Sequence, residues 1–78
     1  MTFEFRDGRL FAEDVDCAAL AAQHGTPAFV YSRAAMEAAL REYLDALAGC
    51  DHLVCYAVKA NSNLAVLQVL AEAGAGFD

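Results

Sequence analysis

Alternation and helical periodicity divide the 78-residue chain into short, well-punctuated elements. Phe3-Glu-Phe5 and Arg9-Leu-Phe11 alternate apolar and polar side chains on either side of Asp7-Gly8. That dipeptide tolerates positive φ, so the pattern predicts an opening β-hairpin with a tight turn. Asp14 is placed to cap a helix over about residues 15–23, an alanine-rich stretch of high helix propensity, and Gly25 to end it in a left-handed conformation. Thr26-Pro27 then forces an extended entry into the strand-like run Ala28-Phe-Val-Tyr31. Ser32 is an N-cap for the strongest helix of the chain, about residues 33–48. Its Met36, Leu40, Tyr43, Leu44 and Leu47 recur at i, i+4, i+7, i+8 and i+11, the stripe of an ordinary core-facing helix. Gly49-Cys-Asp51 interrupts that pattern.

The second half reads as a βαβ unit. Residues 53–58 are apolar, β-branched and aromatic enough for a buried parallel strand, residues 64–73 for the helix after it, and Gly76-Phe-Asp78 for the start of another strand. The fold class expected is α/β. Lys59 therefore closes a strand at its carboxyl end, where βα loops and helix N-termini gather and where α/β proteins hold their ligands. The ordinary explanation of such a lysine is that its stem covers apolar surface while its tip reaches water, and position alone does not separate the two readings. Ser62 or Asn63 is placed to cap the following helix, which is the simpler role for either beside Asn61 at the rim. Tyr56 and Ala57 read as structural. His24 and His52 occupy surface positions without a catalytic partner in view, and Glu13, Asp14 and Asp16 read as a solvated helix start.

Composition narrows the function classes. Apolar residues make up 59% of the chain and the net charge is −6 with five Lys plus Arg, so there is no basic footprint for nucleic acid. No apolar run approaches the roughly 20 residues of a membrane span, and the start lacks the basic-then-apolar order of a signal peptide, so neither a membrane nor export is expected and the protein is placed in the cytoplasm. Cys17, Cys50 and Cys55 are odd in number and show neither Cys-x-x-Cys spacing nor a His at metal-ligand distance, so they read as reduced, mostly buried apolar residues and no metal site is expected.

The string Tyr56-Ala-Val-Lys-Ala-Asn-Ser-Asn63 resembles the lysine motif of the fold-type III pyridoxal-phosphate decarboxylases built on the alanine-racemase-like barrel. Residues 6–13 (Arg-Asp-Gly-Arg-Leu-Phe-Ala-Glu), 25–33 (Gly-Thr-Pro-Ala-Phe-Val-Tyr-Ser-Arg) and 74–78 (Gly-Ala-Gly-Phe-Asp) are similar, in the same order, to stretches of the bacterial diaminopimelate decarboxylases. The resemblance spans essentially the whole chain.

It implies an α/β fold: the N-terminal piece of a (β/α)8 TIM barrel over residues 32–78, preceded by a segment, residues 1–31, associated with a C-terminal β-domain. Such a barrel needs about 250 residues, so the expectation is an amino-terminal fragment of a longer enzyme, incomplete and inactive by itself. The resemblance further implies pyridoxal 5'-phosphate as cofactor, Lys59 as the catalytic and cofactor-bearing residue, Asp78 in the cofactor pocket, and an amino acid as the small-molecule substrate. The full-length enzyme is expected to be a homodimer. The activity implied is decarboxylation of meso-2,6-diaminopimelate to L-lysine. An ornithine or arginine decarboxylase of the same fold remains open, because Gly74-Ala-Gly-Phe-Asp78 resembles those enzymes too, as does a noncatalytic pyridoxal-phosphate-binding barrel. An alanine racemase fits less well, since residues 60–63 lack a Tyr-Gly-His continuation. A noncatalytic helical-hairpin interaction module would require the chain to fold alone.

Overall fold

A computed structural model describes residues 2–78 and divides the chain into two compact units, with the boundary between Ala35 and Met36. The first unit opens with the expected hairpin, β1 (Phe3–Arg6) and β2 (Arg9–Ala12), in the register Phe3↔Ala12 to Arg6↔Arg9. Asp7 and Gly8 both take positive φ, 52° and 78°, as a two-residue type I′ connection requires. Arg6 fastens the end of this sheet. Its guanidinium lies 4.8 Å from the Phe11 ring centroid, meets Glu4 at 2.7 Å and Asp14 at 3.2 Å, and donates to the Glu13 carbonyl at 2.8 Å. Hydrogen bonding to the Glu4 carboxylate, with a further contribution from Asp14, pushes the Arg6 pKa up.

The first helix starts later than the sequence suggests. Val15–Asp16 forms a third strand, β3, antiparallel to β2 through Ala12↔Val15 and Phe11↔Asp16. Helix α1 (Cys17–His24) is capped by Asp16, whose Oδ1 accepts from the Ala18 N–H at 2.9 Å, while Asp14 turns to Arg6 instead. Asp16 also pairs with Arg9, so its side chain secures both strand and helix. Gly25 ends α1 with the expected positive φ of 84°, but its ψ of 176° is extended rather than left-handed helical. The Thr26–Pro27 peptide is cis. Residues 28–31 form no strand: no described strand offers them a ladder, and Phe29 and Tyr31 stand 89% and 55% exposed.

Helix α2 (Arg33–Ala46) starts where Ser32 predicts, with the Ala35 N–H donating to Ser32 Oγ at 3.0 Å. Glu13 completes the cap from a distance in sequence. Its Oε2 accepts from the buried Ser32 hydroxyl at 2.8 Å and from the Ala34 N–H at 3.2 Å, so it is a helix-capping group and not part of a solvated helix start. The helix ends two residues before the expected point, with Gly49 at φ 89° in the turn beyond it.

The second unit is built around Leu40 of α2 and Val66 and Leu70 of α3 (Leu64–Glu72), joined by the partly buried Met36, Leu44, Val54 and Tyr56. Tyr43, expected on the buried stripe, is 63% exposed. Strands β4 (Cys55–Tyr56) and β5 (Gly76–Phe77) pair in parallel on either side of α3, with Cys55↔Gly76 and Tyr56↔Phe77 in register. The βαβ reading holds, although the strand expected over residues 53–58 contracts to two residues. Cys50 and Cys55 are exposed rather than buried, and all three cysteines are free thiols. Among the described residues no helix is long and apolar enough to cross a membrane.

Candidate active site

Lys59 is the only lysine in the 78 residues. It lies in a single 3-10 turn, Val58–Ala60, that follows β4 after Ala57. The Ala60 N–H donates to Ala57 O at 3.0 Å and the Asn61 N–H to Val58 O at 3.2 Å, so the backbone under Lys59 is a closed turn and not the last rung of a strand. Parallel pairing nevertheless reaches this point. The Asp78 N–H donates to Tyr56 O at 2.9 Å, and the Val58 N–H donates to Asp78 O at 3.0 Å. Lys59 and Asp78 therefore stand at the carboxyl ends of two adjacent parallel strands, both exposed, and neither side chain is hydrogen-bonded or ion-paired to another described residue.

Two further contacts hold the turn. The Tyr56 hydroxyl donates to Asn61 O at 3.0 Å, spanning Lys59 from the strand before it to the loop after it. Asn61 Oδ1 accepts from the Asn63 N–H at 2.9 Å, and Asn63 Oδ1 in turn accepts from the Ala65 N–H at 2.9 Å, which makes Asn63 rather than Ser62 the N-cap of α3. The Tyr56 and Phe77 rings meet edge to face with centroids 6.5 Å apart, so both strand ends share one aromatic contact. The sequence marks Tyr56 only as a strand residue. Its phenol three positions before a lysine is the one signal of this role.

Chemically the edge offers a primary amine that is open to solvent and uncommitted to any described carboxylate, beside a second strand end carrying a carboxylate. Such an amine can hold a carbonyl-bearing ligand covalently, which is what pyridoxal phosphate requires of its protein. His52 Nδ1 lies 2.8 Å from Cys50 O, and His24 occupies the last turn of α1. Among the described residues no cluster of three or more His, Cys, Asp or Glu side chains is arranged to hold a metal ion.

Residues 33–78 match the family described as pyridoxal-dependent decarboxylase, pyridoxal binding domain, and the chain belongs to that family. The diaminopimelate decarboxylase of Pseudomonas aeruginosa is 64% identical over 77 residues, which is 99% of this chain and 19% of that protein. That of Vibrio cholerae is 54% identical over 72 residues, 92% of this chain and 17% of that protein. The crystal structure of the Methanocaldococcus jannaschii diaminopimelate decarboxylase in co-complex with L-lysine superimposes with a TM-score of 0.91 at 37% identity, covering 99% of this chain and 19% of that one. The chain thus spans about a fifth of the length of the relatives it matches.

Proposed function

We propose that this chain is the amino-terminal part of a pyridoxal-phosphate-dependent enzyme that decarboxylates meso-2,6-diaminopimelate to L-lysine. The observation that carries the reading is the position of Lys59: the chain's only lysine, uncommitted and open, on a closed turn at the carboxyl edge of a parallel strand pair. Family membership and the high identity to diaminopimelate decarboxylases support the same assignment. The L-lysine held by the similar Methanocaldococcus enzyme is the expected product, since loss of CO2 from one end of diaminopimelate leaves lysine.

In this reading Nζ of Lys59 would hold the cofactor covalently at its aldehyde carbon, with one water released. Bound there, pyridoxal phosphate supplies the electron sink that accepts the pair released as a carboxylate leaves the α-carbon. Asp78 lines the same edge as a cofactor-pocket residue. Residues 32–78 begin a (β/α)8 barrel of which β4, α3 and β5 form one βαβ unit, while residues 1–31 accompany a C-terminal β-domain. The complete enzyme is a cytoplasmic homodimer.

The full-length protein, loaded with pyridoxal phosphate, should release CO2 from meso-diaminopimelate and form L-lysine, and Lys59→Ala should abolish both. Turnover of ornithine or arginine in place of diaminopimelate would contradict the substrate assignment and favour a sister decarboxylase of the same fold.

A further inference from the structure

Tyr56 does more than pack. Its ring makes the edge-to-face contact with Phe77, but its hydroxyl reaches past that contact to the carbonyl of Asn61 at 3.0 Å. The bond closes a loop of six residues with Lys59 inside it. On the far side Asn61 and Asn63 pass the connection on, through successive bonds of 2.9 Å, to the first turn of α3. The segment that carries the lysine is thus tied at one end to β4 and at the other to a helix N-terminus. The 3-10 bonds inside it, 3.0 and 3.2 Å, hold one turn only, and a single turn of that kind is a weak element by itself. The lysine side chain adds four rotatable bonds to any freedom its backbone keeps, so its reach to a fixed partner depends on how firmly residues 57–61 are held.

We infer that Tyr56 is a positioning residue for Lys59, its hydroxyl holding the Lys59 turn in the geometry from which the amine captures an aldehyde. The inference rests on Lys59 being the cofactor-bearing residue. Removing the hydroxyl alone with Tyr56→Phe keeps the ring contact and loosens the turn. In the full-length protein, capture of pyridoxal phosphate by Lys59, followed as growth of visible absorbance, should slow about fivefold, the scale of one net hydrogen bond. Affinity for pyridoxamine 5'-phosphate, which has no aldehyde and makes no bond to lysine, should stay within twofold of wild type. Phe77→Leu weakens the ring contact, leaves the hydroxyl bond in place, and should capture at the wild-type rate. An unchanged capture rate in Tyr56→Phe would overturn the inference, and so would an equal loss for both ligands or an equal slowing in Phe77→Leu, because each marks a merely structural residue. Borohydride trapping and peptide mass spectrometry on the wild type separate this failure from that of the underlying reading, which alone predicts whether Lys59 carries the label at all.

Discussion

Glu13→Ala removes a helix cap supplied from outside the helix. In a common N-terminal capping box the residue three beyond the Ser cap is Glu or Gln. Here that residue is Ala35, and the carboxylate comes instead from Glu13, nineteen positions before Ser32. Truncation deletes the acceptor for the Ala34 N–H, worth about 1 kcal/mol as a typical cap. It also leaves the hydroxyl of Ser32, only 4% exposed, without its acceptor, at a cost of about 1 kcal/mol even though the hydroxyl can rotate. The sum, about 2 kcal/mol, corresponds to roughly a 30-fold rise in opening of the first turn of α2. Alanine also has a Cβ, so the positive φ of 55° at Glu13 contributes equally before and after and cancels from the comparison. Amide hydrogen exchange at Ala34 and Ala35 in the full-length protein reads this directly. Glu13→Gln keeps a neutral acceptor and loses only the charge at the helix N-terminus, so it should cost about 0.5 kcal/mol. Protection of Ala34 and Ala35 unchanged within twofold in Glu13→Ala would refute the capping role.

Leu70 lies in the small core with Leu40 and Val66 and is 7% exposed, so Leu70→Ala in the full-length protein should lose about 2–3 kcal/mol by denaturant unfolding, the lower part of the range because the site is near the surface of its unit. The 78-residue polypeptide expressed alone should melt broadly and develop no visible cofactor absorbance. Its buried hydrophobic side chains among the described residues are Ala12, Leu40, Val66 and Leu70, while Phe5, Phe29, Tyr31, Leu53, Leu64 and Phe77 lie exposed, too little burial to offset ordering costs of about 1–2 kcal/mol per residue. A sharp cooperative melt with stable cofactor binding would contradict this and favour a self-contained binding module.

Local signals carried the elements whose causes are local. Asp7-Gly8 fixes its turn through backbone freedom, Ser32 and Asn63 cap the helices that follow them, and the apolar spacing of Met36, Leu40 and Leu44 marks the buried face of α2. The errors arise where a distant partner decides. Asp14 is the cap expected from sequence, but Asp16 takes the role because Val15 pairs with Ala12 and draws two more residues into the sheet. Residues 28–31 have strand composition but no ladder partner among the described strands, and composition cannot supply one. Glu13 looks like a solvated acid until the fold brings Ser32 to it. At the candidate site, what is legible is the placement of Lys59 and Asp78 beside two strand ends, because each follows a short apolar run. The 3-10 turn under Lys59 and the Tyr56 hydroxyl bond are not, since a strand ending at residue 56 and one ending at 58 share the same apolar pattern.

Borohydride reduction of the full-length, pyridoxal-phosphate-loaded protein followed by peptide mass spectrometry locates the amine that bears the cofactor, which is Lys59 in the proposed reading. Lys59 is the only lysine in these 78 residues, so a label in this region has one amine side chain to occupy. A pyridoxyl adduct is expected on the peptide containing Tyr56-Ala-Val-Lys59 and is expected to be absent in Lys59→Ala. An adduct on a lysine elsewhere in the full-length protein, with the Lys59 peptide unmodified, would contradict it.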